Sequence, residues 1–220
     1  MLFRSTQASQ HRATAVQAAV LATPRAAPGV QAVYSDLGYM ALGWLLAAID
    51  DRPLDVQFRS DIAEPLGLSA RFCPTRPETV VATEIWPARC PDGLPLQGEV
   101  HDDNAAALGG IAGHAGLFGS VQDVLVLAQA WLRAWRGEEN RLGLPTPLVR
   151  ALLERPGAPG ASWRHGWDTP AATGSTAGDR VPTDAWGHLG FTGTSVWIAP
   201  SRQTVVVLLT NRVHPDRGPS

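Results

Sequence analysis

Two stretches of the sequence repeat apolar residues at helical spacing. In the first, residues 37–50, large apolar side chains recur every three or four positions along one face. In the second, Ser120 and Asp123 have the spacing of a helix cap and its acidic partner, an apolar stripe follows, and Gly137 is a typical helix end. These patterns predict two amphipathic helices, each with one buried stripe.

Two shorter segments carry helix signals without a long apolar stripe. Residues 60–64 are closed by Pro65 and Gly67, and residues 147–154 follow Thr146. In the second segment we expect Thr146 to cap the helix and Pro147 to occupy its first position. Both segments are predicted to form short helical turns.

The C-terminal third has the pattern of β-structure. Residues 194–199 and 204–210 are β-branched or apolar runs, and a short turn at 200–203 separates them. We interpret them as a β-hairpin. Because the second run is apolar on both faces, we expect it inside a sheet with other elements packed on each side.

The remaining long segments, 87–98 and 156–180, are rich in Gly, Pro, Ala and Ser and show no internal repeat. They are interpreted as surface loops, with no linker that would separate two domains. We therefore expect residues 1–220 to form a single, partial domain. Residues 1–27 are a poorly defined N-terminal segment of it, and residues 214–220 a tail.

The composition narrows the function classes. With 45% hydrophobic residues, 17% charged residues and a net charge of -2, the chain is predicted to be a soluble globular protein that does not bind nucleic acid. No apolar run reaches the roughly 20 residues of a membrane span. The N-terminus lacks the apolar core of a signal peptide, so the chain as it stands is expected in the cytoplasm. A longer parent protein in the periplasm remains an alternative.

All 18 basic residues are arginine, which excludes a catalytic or phosphate-binding lysine within the chain. The two cysteines, Cys73 and Cys90, are too few for a disulfide scaffold or a zinc site built from Cys. The sequence leaves open whether they pair or stay free.

Three polar or glycine-rich segments could carry chemistry: residues 34–36, residues 101–116 and residues 187–193. Each also has a simple structural interpretation as a helix cap or a loop. His101, Asp102 and His114 have the donor atoms that zinc or iron prefers, but their spacing matches no recognised metal motif. Polar loop residues that satisfy one another are the simpler interpretation, so we expect no metal and no organic cofactor.

Taken in order, these segments resemble the serine β-lactamase-like hydrolases, which include class C β-lactamases, penicillin-binding DD-peptidases and related esterases. Residues 34–36 resemble the family's Tyr-x-Asn motif, and residues 64–68 its Pro-Leu-Gly turn. Residues 110–123 look like its glycine-rich segment and following helix. Residues 188–190 lie where the family has Lys-Thr-Gly or His-Thr-Gly. The resemblance covers roughly residues 28–213.

The resemblance implies an α/β (α+β) fold of the serine β-lactamase/DD-peptidase type, with an antiparallel sheet flanked by helices and a mostly helical lobe. It also implies acyl transfer through a serine of a Ser-x-x-Lys motif. Carried over onto this chain, Tyr34 is the base or proton relay and His188 is the polar group on the leaving side. The N–H of Phe191 is an oxyanion donor.

The same carry-over assigns Asp36, Leu189 and Gly190 to substrate binding, with two departures from the family's pattern. Asp36 replaces an amide that can donate to a substrate carbonyl with a carboxylate that accepts. Leu189 replaces a threonine hydroxyl that could hold a substrate carboxylate. These exchanges favour an esterase over a β-lactamase or a carboxypeptidase, and the substrate class stays open among small esters, amides and peptidoglycan-type peptides.

The largest departure is the missing Ser-x-x-Lys motif. Its nearest echo is residues 9–12, where an arginine that stays protonated stands in the place of the lysine. The chain is therefore interpreted as an N-terminally incomplete or degenerate member of the family that is inactive alone. The alternative is a binding module that keeps the same groove and has no catalytic activity.

Overall fold

A computed structural model describes residues 21–24, 26–155 and 157–218 of the chain. The Ser-x-x-Arg echo at 9–12 and most of the N-terminal segment 1–27 lie outside the described residues. The helices and strands occur in the following order: α1 (Asp36–Asp50), α2 (Leu54–Gln57), a π-helical turn (Phe58–Ala63), α3 (Glu64–Leu66), β1 (Arg71–Phe72), a 3₁₀ turn (Pro77–Thr79), α4 (Asp103–Ala107), β2 (Leu117–Phe118), α5 (Val121–Arg136), α6 (Thr146–Glu154), β3 (Trp186–Leu189), β4 (Ser195–Ala199), a 3₁₀ turn (Pro200–Arg202) and β5 (Thr204–Leu208).

The two long predicted helices are present, and their ends follow from local chemistry. At the start of α1 the hydroxyl of Ser35 accepts a hydrogen bond from the N–H of Gly38. At the start of α5 Ser120 and Asp123 form a reciprocal capping box. Gly137 ends α5 in the left-handed conformation that glycine adopts without strain.

The short helical segment before Gly67 is also confirmed, as a π-helical turn that runs into α3. The predicted cap of α6 is wrong. Thr146 lies inside the helix, and Pro145 precedes it in extended conformation without a side-chain cap. Pro145 has no side-chain oxygen, so it cannot accept hydrogen bonds from the N–H groups of the first turn as a capping residue would.

The main sheet has three antiparallel strands in the order β3-β4-β5. Ile198 at its centre lies opposite Trp186 on one side and Val205 on the other. A separate two-stranded sheet pairs β1 with β2. These helices and antiparallel sheets confirm the predicted fold class.

The prediction that the last strand lies inside the sheet is wrong for the part of the chain that is described. β5 forms the edge of the main sheet, and α5 packs against one face of it. On the other face Val206 is 57% exposed and Leu208 is 55% exposed. An apolar sequence pattern shows only that the side chains can be buried. Whether they are buried depends on which other elements pack over them.

The buried core has two parts. The larger joins α5 and α6 to the main sheet, with Ile198 and Val149 fully buried. The smaller packs Met40 of α1 against residues of α4 and of the glycine-rich segment. α1 buries only Met40 and Gly43, and Ile49 on its predicted stripe is 75% exposed. The expected buried stripe of α1 is therefore only partly covered.

The loops 87–98 and 156–180 contain no helix among their described residues, as expected. They are more than surface excursions, however, because Cys90 and Leu96 are buried and Asp168 forms a β-bridge with Gly187. Both cysteines are free, with Cys73 exposed. No helix in the described ranges is long and apolar enough to cross a membrane.

Candidate active site

Tyr34 and His188 come together from distant parts of the sequence. Tyr34 precedes the cap of α1 and is about half exposed, whereas His188 is on β3. Their ring centroids are 6.2 Å apart. Trp163 stands beside both, with its ring centroid 5.3 Å from Tyr34 and 5.8 Å from His188. The three rings form an aromatic cluster at the edge of the main sheet.

Trp163 was not identified from the sequence. The loop that carries it is held to β3 by the bridge between Asp168 and Gly187, in which each N–H donates to the other's carbonyl. A second bond, from the N–H of Thr169 to the carbonyl of Ser162, folds the loop back on itself. The only sequence signal for Trp163 is that it is a large aromatic residue in a Gly/Pro-rich segment. Its position beside Tyr34 and His188 depends on the bridge between the loop and β3.

The turn after β3 presents the N–H of Phe191. Gly190 donates to the carbonyl of Thr194, and Gly193 donates to the carbonyl of Gly190. Gly193 has φ +92°, and a Cβ there would collide with Thr210. Within the described ranges no residue accepts a hydrogen bond from the N–H of Phe191. Leu189 and Phe191 are both exposed beside this turn.

Next to Tyr34 lies an acidic cluster that also contains a buried histidine. Asp102 caps α4 by accepting from the N–H of Ala105 at 2.7 Å, and the same oxygen lies 2.8 Å from Nε2 of His114. Ligand atoms of Asp36, Asp102 and His114 lie within 4.8 Å of one another. Among the residues that the structure describes, these three form the group that could hold a metal ion. The hydrogen bonds of Asp102 account for its position without one.

The electrostatics of this cluster act on Tyr34. Partial burial raises the pKa of the Tyr34 phenol, and the negative charges of Asp36 and Asp102 raise it further. The hydrogen bond from His114 lowers the pKa of Asp102, which therefore stays ionised. Since a phenol becomes a base more easily beside a cation, Tyr34 needs a positive partner before it can accept a proton at neutral pH.

His101 does not join Asp102 and His114, so the metal site considered for these three residues is not formed. Its Nε2 lies 2.7 Å from the carboxylate of Glu84, which also accepts from Nε of Arg217 at 2.7 Å. Glu84 is only 5% exposed. Burial alone would raise the pKa of Glu84, but the hydrogen bonds from Arg217 and His101 outweigh it and lower the pKa. No sequence motif marks Glu84.

The sequence as a whole decides the family. The sequence model described as Beta-lactamase matches residues 2–220 of the chain. The chain belongs to the beta-lactamase family. This agrees with the order of the motifs and with the antiparallel sheet that carries His188.

Curated relatives include proteins named as an amidase and as a putative carboxypeptidase. The chain is 32% identical over 217 residues to the N-acetylmuramyl-L-alanine amidase of Bacillus subtilis (strain 168), covering 87% of this chain and 48% of that protein. It is 31% identical over 215 residues to the putative D-alanyl-D-alanine carboxypeptidase of Escherichia coli (strain K12), covering 88% of this chain and 49% of that protein. The chain thus spans about half the length of the curated relatives it matches.

Solved structures of the beta-lactamase fold align with most of the chain. A beta-lactamase from Mycobacterium bovis matches with a TM-score of 0.57 at 18% identity, covering 93% of this chain and 76% of that one. EstCE1, a hydrolase with promiscuous acyltransferase activity, matches with a TM-score of 0.61 at 24% identity. The alignment covers 86% of this chain and 54% of that one. At these identities the likeness shows the fold.

Proposed function

We propose that the chain supplies the proton-transfer and oxyanion part of a serine acyl-transfer site for an amide or peptide of the peptidoglycan type. The observation that carries this proposal is the meeting of Tyr34 and His188 at 6.2 Å, with the N–H of Phe191, for which no described residue is an acceptor, three residues beyond His188. In this arrangement Tyr34 relays a proton, His188 orients the leaving side and Phe191 donates to the oxyanion.

The substrate class is supported by the relatives and by the charge of the site. The named curated relatives are an amidase and a carboxypeptidase of cell-wall type. Asp36 and Asp102 make the region around Tyr34 acidic, and their carboxylates can accept hydrogen bonds from an amide N–H or an amino group of the substrate. Leu189 and Gly190 would line the path toward the sheet.

The nucleophile is proposed to lie outside the 220 residues of this chain. The chain contains no lysine, so it cannot supply the base of a Ser-x-x-Lys motif. That lysine would also be the cation that lowers the raised pKa of Tyr34. We infer that the 220-residue chain alone is inactive, and that a preceding Ser-x-x-Lys segment would complete the site.

The test compares two proteins. The 220-residue chain and an extended protein, in which a Ser-x-x-Lys segment of the family precedes residue 1, are incubated with a fluorophosphonate and with a penicillin. Intact-mass measurement follows. We expect a stoichiometric adduct on the extended protein alone, together with hydrolysis of an ester or a muramyl-peptide amide. An adduct on a serine of the shorter chain would contradict the proposal.

A binding module without catalytic activity is the second candidate, favoured by the aromatic cluster of Tyr34, Trp163 and His188. If neither protein forms an adduct but both bind a muramyl peptide, with affinity lost in Trp163→Ala, the groove serves binding. That result would replace the acyl-transfer proposal.

A further inference from the structure

The segment that follows β5 forms hydrogen bonds with the turn of residues 190–193. The hydroxyl of Thr210 donates to the carbonyl of Gly193 at 2.5 Å. Two residues further on, the N–H of Arg212 donates to the carbonyl of Thr192 at 3.0 Å. The turn and this segment are therefore joined by two hydrogen bonds that do not involve the Arg212 side chain.

The Arg212 side chain reaches Phe191 twice. Its Nε donates to the carbonyl oxygen of Phe191 at 2.8 Å, and its guanidinium carbon lies 4.9 Å from the centroid of the Phe191 ring. A planar guanidinium can donate in its plane and cover an aromatic face at the same time, which an ammonium group cannot do with the same geometry. Arg212 thus fixes both the backbone and the side chain of one residue.

The Phe191 ring has further partners that limit its motion. The His101 ring is stacked on it with the planes inclined by 22° and the centroids 5.8 Å apart. The guanidinium of Arg217 lies 5.6 Å from the same ring. Both groups bind the buried carboxylate of Glu84, which anchors them.

We propose that Arg212 is a positioning residue for the oxyanion donor, acting through the carbonyl and the ring of Phe191. The inference rests on the proposed function, in which the Phe191 N–H contacts the developing oxyanion. The carbonyl, the ring and the N–H of Phe191 diverge from one Cα, so fixing the first two restricts the direction of the third. An oxyanion donor acts by being aimed before the reaction begins, and a displacement of about 1 Å can cost about 100-fold in rate.

The first experiment uses the 220-residue chain and requires no activity. Hydrogen exchange of peptides that cover residues 187–196 is measured by mass spectrometry in Arg212→Met, Arg212→Lys and Arg202→Met. Arg202 is a matched control because it is an exposed arginine in the turn between β4 and β5 of the same sheet. Loss of one hydrogen bond predicts exchange about 3- to 10-fold faster around Phe191 in Arg212→Met. We expect a smaller increase in Arg212→Lys and none in Arg202→Met.

The second experiment measures turnover in the extended protein, per active site titrated with fluorophosphonate. For Arg212→Met we expect kcat to fall about 10- to 100-fold while KM changes less than about 2-fold, with partial recovery in Arg212→Lys. A purely structural role would reduce the titrated fraction and leave kcat per active site unchanged. That result would overturn the proposal, as would unchanged exchange around Phe191 or an equal effect of Arg202→Met.

The two experiments separate the two proposals. If the unmodified extended protein neither forms an adduct nor turns over substrate, the proposed function fails, and the role of Arg212 toward an oxyanion fails with it. Faster exchange confined to the Phe191 turn would then still establish the contact between Arg212 and the turn. If the unmodified extended protein is active, the kcat of Arg212→Met tests the role of Arg212 directly.

Discussion

The rings of Tyr34 and His188 lie 6.2 Å apart although one precedes α1 and the other is on β3. No local pattern connects them. Trp163 contacts both rings, and the loop that carries it is attached to β3 by the bridge between Asp168 and Gly187.

Tyr34 should ionise at higher pH than an ordinary tyrosine. The chain has two tyrosines, so Tyr39→Phe leaves a single phenol that can be followed by ultraviolet absorbance. Burial and the charge of Asp36 raise the pKa of Tyr34, and Asp36→Asn in the same background should lower it because one negative charge is removed. A Tyr34 pKa that does not fall in Asp36→Asn would contradict this electrostatic account.

Tyr34→Phe in the extended protein should lower turnover of an ester by a factor of about 10²–10⁴, the usual range for loss of a general acid–base group. His188→Ala should affect kcat less and KM more, because an orienting group contributes mainly to binding. Tyr39→Phe is the matched control and should leave kcat unchanged. Equal rates for Tyr34→Phe and Tyr39→Phe would remove Tyr34 from the mechanism.

Gly113→Ala should destabilise the fold by about 1–3 kcal/mol or more, because it forces an overlap in a packed region. A Cβ at Gly113 would lie 2.1 Å from the carbonyl oxygen of Tyr39 in α1. Gly38→Ala in the same helix meets no atom within 4 Å and should stabilise the protein by about 0.5–1 kcal/mol. Urea denaturation of both variants measures the change in the free energy of unfolding. If Gly113→Ala increased this free energy, α1 would not approach the segment around Gly113 closely.

Asp123→Asn should destabilise the protein at neutral pH and have less effect in acid. Burial would raise the pKa of Asp123, but hydrogen bonds from the N–H and hydroxyl groups of Ser120 and Ser69 outweigh it and lower the pKa to about 2. The stabilisation is therefore complete above the unfolded pKa of about 4 and is lost as the pH falls toward 2. The shift corresponds to about 2–3 kcal/mol. Denaturant midpoints at pH 7 and pH 3 should differ less for the variant than for the unmodified chain.

The 220-residue chain should associate through the outer face of β5, where Val206 and Leu208 are more than half exposed on an edge strand. Exposed apolar edges pair readily with a second copy. Val206→Lys with Leu208→Lys should shift sedimentation toward the monomer, whereas Thr204→Lys, also exposed on β5, should shift it less. A monomeric, cooperatively melting unmodified chain would contradict the expectation.

The elements that the sequence predicted well are those that local chemistry determines. The cap at Ser120, the glycine end of α5 and the hairpin of β4 and β5 depend on neighbouring residues, so they could be read from spacing. The predicted cap at Thr146 is wrong because α6 begins one residue earlier than the cap rule places it, so Thr146 is its first helical residue.

Tertiary contacts explain what the sequence did not predict. Trp163, Glu84 and Arg212 acquire their partners from loops that lie far away in the chain, and none belongs to a motif. The position of β5 at an edge likewise depends on which strands are adjacent to it. An apolar run carries no information about its neighbours.

The pairing of Asp102 with His114 offers a spectroscopic reporter of the site. The His114 side chain is only 2% exposed, and the ionised carboxylate of Asp102 accepts a hydrogen bond from the N–H at Nε2. The tautomer is therefore set by Asp102, and the proton is shielded from rapid exchange with water. Such a proton should give a separate downfield resonance in NMR spectra recorded in water. Loss of that signal in Asp102→Asn would identify it, and its movement on ligand addition would report occupancy beside Tyr34 without any turnover.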